Sequence, residues 1–391
     1  MKHPVAKLPD CQSAFYVFEP AAAIARVNWL RARLPQHVSI CYAVKANPFL
    51  CDALSEAVER FEVCSPGEAR ICLAHHISQE KLVISGVYKT PAFIEEMVCS
   101  GAPVLYTVES MTQFTLLQKL AQQYQRKLSL LLRLTNGSQF GINAADIEQI
   151  VANRAQFPLL TFRGIQYFSG TQKNSLKKYA RELRMLDGFL QKLHDSYGYT
   201  APELEYGTGF PVAYFLDESV DEDTLLQGFS ELLTEMSQKP HITLELGRSI
   251  AACCGQYYTH VVDFKNNDGQ NYVLVDGGMH HLVYFGQHMA MRHPKLHLVG
   301  KENHPVKDVW NICGSLCSMN DILAKQLPLP SLQIGDLLCF ENTGAYCMTE
   351  GTALFLSREI PAVYFLENEN YVCVRSPIET ARFNTPLTER N

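Results

Sequence analysis

Ile40-Cys-Tyr-Ala-Val-Lys45-Ala-Asn-Pro48 sets the reading of this chain. An apolar, β-leaning run ends in one lysine, and Asn47-Pro48 then breaks the strand and starts a turn. A lysine where a buried strand opens is poorly solvated. Burial favours the neutral amine, the form that condenses with an aldehyde. A strand-end lysine that simply reaches solvent fits the same residues equally well, so the surrounding segments must decide.

Outward from Lys45, short apolar runs recur at 39–44, 61–64, 81–85, 104–108, 128–134, 162–168, 203–206 and 242–246. Helix-length amphipathic stretches lie between them, among them 91–100, 111–125, 144–153, 176–196 and 222–238. Eight strands alternating with helices predict an α/β fold closed into a TIM-like (β/α)8 barrel. A doubly wound open sheet is the rival, but no G-x-G-x-x-G turn follows the first strand. After Ala251 the rhythm changes. Runs at 257–264, 272–275, 306–312, 337–341 and 362–366 read as strands, with Asn266-Asn-Asp-Gly269 the clearest turn. This predicts a C-terminal all-β domain, a sandwich or barrel, which the strand candidate at 14–18 would join. The expected boundaries are 24–252 for the barrel, and 1–23 with 253–391 for the β domain.

With 391 residues, 47% hydrophobic and 19% charged, the chain has ordinary globular composition and room for two domains. The net charge of −6 comes without a basic patch, which argues against a nucleic-acid partner. No apolar run is long enough to span a bilayer, and residues 1–10 lack a signal-type apolar region, so a cytoplasmic protein is expected. The 13 cysteines are scattered. Neither Cys253-Cys254 nor the Cys313 and Cys317 pair has histidines at zinc-ligand spacing. They read as small buried hydrophobes in a reducing compartment. The neighbours His75-His76 and His280-His281 point different ways on a regular element, so no metal site is expected.

A barrel collects its chemistry at the carboxyl ends of its strands. Lys45 lies there on the first strand, Glu62 and Ser65 on the second, and Lys89 past the third. Arg133 lies in the fifth, Phe168-Ser-Gly-Thr-Gln172 ends the sixth, Gly207-Thr208-Gly209 follows the seventh, and Glu245 and Arg248 end the eighth. The Gly207-Thr-Gly209 turn can bring backbone N–H groups up to a phosphate, and a plain strand-to-loop turn explains it as well. In Glu245-Leu-Gly247-Arg248 a carboxylate can keep a pyridine nitrogen protonated and the arginine can pair with a phosphate; a rim salt bridge is the simpler alternative. In the β domain, Asp321 can cap a helix continuing through Ile322-Leu-Ala-Lys325, or it can act in a site. Tyr346, beside Gly344-Ala345, can bind a phosphate or pack in the core.

Taken in order, these segments resemble the fold-type III pyridoxal-phosphate-dependent decarboxylases. That family includes ornithine, arginine and diaminopimelate decarboxylases and relatives from siderophore and antibiotic biosynthesis. The resemblance covers nearly the whole chain and the fold it implies is alanine racemase/decarboxylase-like. It rests on Tyr42-Ala-Val-Lys-Ala-Asn47, Phe61-Glu-Val-Cys-Ser-Pro-Gly-Glu68, Gln139-Phe-Gly141, Gly207-Thr-Gly-Phe-Pro211, Glu245-Leu-Gly-Arg248, Asp276-Gly-Gly-Met279, Cys317 through Asp321, Gly335-Asp336 and Gly344-Ala-Tyr346. By that resemblance the cofactor is pyridoxal 5'-phosphate, carried by Lys45 as an aldimine. Gly207, Thr208, Gly209, Gly247, Arg248 and Tyr346 would hold its phosphate, and Glu245 would partner the ring nitrogen. Cys317 would return a proton to the α-carbon after carbon dioxide leaves. Arg133, Ser318, Asp321 and Tyr284 would line the substrate. Cys317, Asp321 and Tyr346 would reach the site of a second subunit, which implies a head-to-tail homodimer with shared sites.

Two departures from the family pattern stand out. Phe168 occupies the place of a histidine that stacks on the cofactor; a phenyl ring can stack but cannot titrate. The loop Leu134-Thr-Asn-Gly-Ser138 is short. Specificity positions are informative by what they lack. After the reactive cysteine, polyamine-forming relatives have an aspartate and diaminopimelate enzymes a glutamate, and here Ser318 follows. Where diaminopimelate enzymes have an arginine, this chain has Tyr284. The pattern is therefore closer to the siderophore and antibiotic branch, whose amino-acid-derived substrates are conjugated or carrier-linked. The rivals are a racemase or epimerase on the same fold, a diaminopimelate- or ornithine-type decarboxylase of primary metabolism, and a non-catalytic cofactor carrier.

Overall fold

The computed structural model describes residues 8–287 and 290–386. The expected ends of the β domain, at 1–7 and 387–391, lie outside the described residues. The chain divides into two compact units: one of residues 24–212 and 220–250, the other of residues 1–23, 213–219 and 251–391.

In the first unit eight parallel strands close on themselves: β2 (Val38–Ala43), β3 (Arg60–Val63), β4 (Leu82–Ile84), β5 (Leu105–Val108), β6 (Leu128–Arg133), β7 (Leu160–Phe168), β8 (Glu203–Gly207) and β9 (His241–Leu246), with β9 pairing back onto β2. The preceding strand β1 (Phe15–Phe18) belongs to the other unit. Most barrel strands are short and nearly continuous in buried residues, as strands covered on both faces must be. Between them run α2 (Pro66–Ala74), α3 (Pro91–Ser100), α4 (Met111–Tyr124), α5 (Ala144–Ala152), α6 (Leu176–Tyr197) and α7 (Glu222–Glu235), after a first helix α1 (Pro20–Arg31). Their starts are written locally. Ser65 caps α2 by accepting from Glu68 N, with Pro66 at the first helical position, and the Glu68 carboxylate takes Cys64 N at 2.6 Å. Ser110 caps α4, and Gln113 reaches back to Glu109 N at 2.9 Å. These caps fix the turns that leave the strand ends. The longest helix, α6, buries Leu183, Leu186, Leu190 and Leu193, the i, i+3, i+7 spacing of one face.

The second unit carries a mixed sheet in the order β14-β13-β11-β10-β1-β16-β17, with β15 joining β10 to β12. Its strands are β10 (Gly255–Asn267), β11 (Gln270–Val275), β12 (Leu296–Leu298), β13 (Asp308–Cys313), β14 (Ile322–Leu329), β15 (Leu337–Phe340), β16 (Ala362–Glu367) and β17 (Asn370–Arg375). The strand β1 pairs with both β10 and β16, so the N-terminal segment is built into this sheet. Phe15, Val17, Tyr258, Cys339 and Ala362 form one of its buried clusters. One expectation is corrected here. Residues 322–325 do not begin a helix and Asp321 caps none, because this stretch is β14, paired antiparallel with β13. None of the 13 cysteines is in a disulfide. Among the described residues no helix is long and apolar enough to cross a membrane, and no group of His, Cys, Asp or Glu is arranged to hold a metal ion.

Candidate active site

Lys45 sits in the turn just past β2, and barrel closure brings β3 and β9 to either side of it. Its Nζ makes a short ion pair with Glu62 and lies 3.4 Å from Glu245 Oε1 and 3.6 Å from Cys64 Sγ. The side chain is 37% exposed, whereas those of Glu62 and Glu245 are 2% and 11% exposed. The lysine is therefore an ammonium gripped by two carboxylates, not the isolated desolvated amine that Ile40–Pro48 alone suggested. Burial alone would raise the Glu62 carboxyl, but the Lys45 charge and hydrogen bond outweigh it and hold Glu62 well below the usual carboxylate range. Glu245 moves the other way: burial, then the adjacent Glu62 charge, push it up against the pull of Lys45 and Arg133. Two facing carboxyls beside one ammonium titrate as a coupled pair, and Glu245 is the one whose affinity for a proton is raised.

The other rim residues of the barrel unit cluster by function. Phe168 ends β7 directly opposite Gly207 in register, and a Cβ added at Gly207 would meet the phenyl ring at 2.5 Å. Gly209 has φ +61°, and a Cβ there would lie 2.1 Å from Gly170 O. Only glycine fits that turn, which packs against the Gly170-Thr171 backbone. Arg248 is buried and its Nε donates to Thr171 Oγ1 at 3.3 Å. Thr208 is wholly buried, and Gly247 starts the turn that carries Arg248. The backbone at Gly207–Gly209, the Gly170-Thr171 loop and the Arg248 guanidinium thus lie together as a cationic cradle. Arg133 ends β6, pairs with buried Glu109 at 2.8 Å and stacks on Phe140 from the Gln139-Phe-Gly141 motif. Lys89 is buried against Gly86 O and Gln113 Oε1, at 2.9 and 3.0 Å, and burial brings its ammonium down to about 8.

The remaining expected residues lie in the β unit. Cys317 is exposed in the turn between β13 and β14, followed by half-buried Ser318. Asp321 is buried, and its two carboxylate oxygens accept Met279 N and Leu316 N at 2.7 and 2.8 Å. Gly278 (φ +156°) makes room for it: a Cβ there would sit 2.6 Å from the carboxylate. Asp321 thus clasps the Cys317 turn to the Gly277–Met279 turn. Tyr284 is buried with its hydroxyl donating to Glu341 O at 2.6 Å, and Tyr346 occupies a turn with φ +65°.

Four side chains beside these escaped the sequence reading: Cys64, Gln166, Glu203 and Glu205. Alternation could have marked Glu203 and Glu205, because Glu203-Leu-Glu205 puts carboxyls at every second place of an otherwise apolar strand, and Gln166 follows an apolar Ile165 in β7.

The donor set fits a pyridoxal phosphate: an amine at the rim for the aldehyde, a carboxyl for the ring nitrogen, a phenyl ring beside it, and a glycine-and-arginine cradle for the phosphate. The comparisons agree. The family described as pyridoxal-dependent decarboxylase, pyridoxal binding domain, matches residues 21–252. The L-glutamyl-(BtrI acyl-carrier protein) decarboxylase of Niallia circulans is 26% identical over 93% of this chain and 91% of its own length. The 2-((L-alanin-3-ylcarbamoyl)methyl)-2-hydroxybutanedioate decarboxylase of Staphylococcus aureus is 23% identical over 90% of this chain and 93% of its own. Among solved structures, diaminopimelate decarboxylase from Helicobacter pylori complexed with L-lysine superposes with a TM-score of 0.82 at 21% identity, covering 95% of this chain and 96% of that one.

Proposed function

Because the chain belongs to the pyridoxal-dependent decarboxylase family, and is a decarboxylase that uses pyridoxal phosphate, we propose that its substrate is an amino acid presented as a conjugate or on a carrier protein, in a secondary pathway. The observation that carries the catalytic assignment is the Lys45 ammonium held between Glu62 and Glu245 at the barrel rim. The substrate class is supported by the glutamyl-carrier and citrate-like substrates in the names of two relatives, and by Ser318 where a charged reader would be needed for a free diamino acid.

When bound, pyridoxal phosphate supplies an electron sink for the pair left behind by carbon dioxide. The protein's own groups do the rest. Lys45 would offer its Nζ to the aldehyde, with Glu62 and Glu245 holding that nitrogen in place. Glu245 would partner the ring nitrogen. Gly207, Thr208, Gly209, Gly247 and Arg248 would hold the phosphate, and Phe168 would stack beside the ring. In the proposed head-to-tail homodimer, Cys317 of the partner subunit delivers the proton to the α-carbon and Tyr346 of the partner subunit adds a phosphate contact. Asp321 keeps the Cys317 turn in place, Arg133, Ser318 and Tyr284 are the proposed substrate contacts, and neither Ser318 nor Tyr284 offers a charge to a distal amine or carboxylate.

A carbon dioxide assay over free glutamate, ornithine, diaminopimelate, citryl-conjugated diamino acids and a carrier-linked glutamyl group tests the substrate class. Release from a conjugated or carrier-linked substrate and none from the free amino acids is the expected result. Faster release from free diaminopimelate or ornithine would overturn it, and loss of optical rotation without gas would favour the racemase reading.

A further inference from the structure

Beneath Glu245 a second polar layer runs across the barrel. Gln166 on β7 lies opposite Glu205 on β8 in register. Both are completely buried. The Gln166 amide nitrogen donates to Glu205 Oε1 at 2.9 Å and to Glu245 Oε2 at 3.2 Å, which uses both of its hydrogens. Below them Arg60 is ion-paired with Glu203, which also accepts the Thr243 hydroxyl at 2.6 Å, and an Arg60 nitrogen stands 3.8 Å from Glu205 Oε2. Gln166 Oε1 and Glu205 Oε2 have no hydrogen-bond partner among the described residues. An apolar residue would fill the same space without stranding a carbonyl in a dry interior, so packing alone does not account for the amide.

Charge explains it. Lys45 and Arg60 supply two positive charges against the four carboxyls of Glu62, Glu203, Glu205 and Glu245. Not all four can ionise in a buried space. Burial, followed by the charges of Glu245 and Glu203, drives the proton onto Glu205. Facing Glu245 are Lys45 and Cys41 from β2 and its turn, Glu62 and Cys64 from β3 and its end, Arg133 from β6, Gln166 from β7 and Glu205 from β8. Of the groups behind the carboxyl, the Gln166 N–H is the one donating a hydrogen bond, and a donor to the charged form favours that form.

We propose that Gln166 is a positioning residue: its amide holds the Glu245 carboxylate ionised and aimed at the cofactor's ring nitrogen, while Glu205 orients the amide from behind. This rests on Glu245 being the ring-nitrogen partner, so the test separates the two ideas. The holoenzyme is loaded with cofactor labelled with ¹⁵N in the ring, and the ring-nitrogen shift is followed against pH without substrate. In Gln166→Met, which keeps the volume and loses the donor, the nitrogen should lose its proton at a pH lower by about one unit, with cofactor bound about tenfold more weakly. In Glu245→Gln the shift should move further. If Glu245→Gln moves the signal and Gln166→Met does not, the proposal is wrong and the Glu245 assignment stands. If neither moves it, the assignment of Glu245 has failed. Should Gln166→Met not fold, Glu205→Leu removes the backing one step lower: a shift in the same direction supports the proposal and an unmoved titration overturns it.

Discussion

Lys45 and Glu245 stand 200 positions apart in the chain, and each was visible at a strand end without showing that they meet. What the sequence could not show was the company they keep. Glu62, Cys64 and Gln166 come into reach only when eight strands close, and closure is a non-local event that no segment encodes alone. The same closure changed the reading of the lysine itself, from a desolvated amine to a paired ammonium. Lys89, by contrast, is a buried ammonium with neutral hydrogen-bond partners, and it makes a pH prediction. Below about 8 it is charged in both the folded and unfolded chain and its burial cost is fully present. Between about 8 and its ordinary 10.5 the folded protein releases the proton first, the unfolded chain binds more, and stability rises with pH. Urea unfolding of the wild type and Lys89→Met should therefore show the wild type gaining on the variant as pH rises through that window. A constant difference would mean the lysine is not desolvated.

Elements were legible where pattern and packing agree. The eight barrel strands and helices such as 91–100 and 111–125 follow from apolar runs bounded by Pro, Ser and Gly, and their ends differ from the structure by only one or two residues in most cases. Ile322-Leu-Ala-Lys325 misled because its residues favour a helix locally, while pairing with β13 decides for a strand. The short β12 and the partly exposed β17 carry too little periodicity to be read. At this scale the β8–α7 turn makes the sharpest prediction. Gly209→Ala places a methyl group 2.1 Å from Gly170 O at a left-handed φ of +61°, so the turn must open. Cofactor affinity, followed by fluorescence quenching, should fall by at least about tenfold, the equivalent of about 1.4 kcal/mol. Unaltered affinity would remove this turn from the phosphate cradle.

For the molecule as a whole, the count of eight alternating units and the change of rhythm after Ala251 carry the architecture, and the N-terminal strand in the second sheet follows from the pairing of β1 with β10 and β16. The assembly is a matter for experiment. If sites are shared between subunits, Lys45→Ala and Cys317→Ala proteins, each inactive or severely slowed alone, should regain about a quarter of wild-type activity when mixed and allowed to exchange. No recovery would place Cys317 and Lys45 outside a common site. The central claim is narrower, that one particular amine binds the cofactor. Borohydride reduction of the pyridoxal-phosphate-loaded protein, followed by peptide mass mapping, tests it directly. The prediction is that the visible band bleaches and the reduced adduct sits on Lys45; an adduct on Lys89 or any other lysine in its place, or a protein that stays colourless with cofactor, would contradict the account.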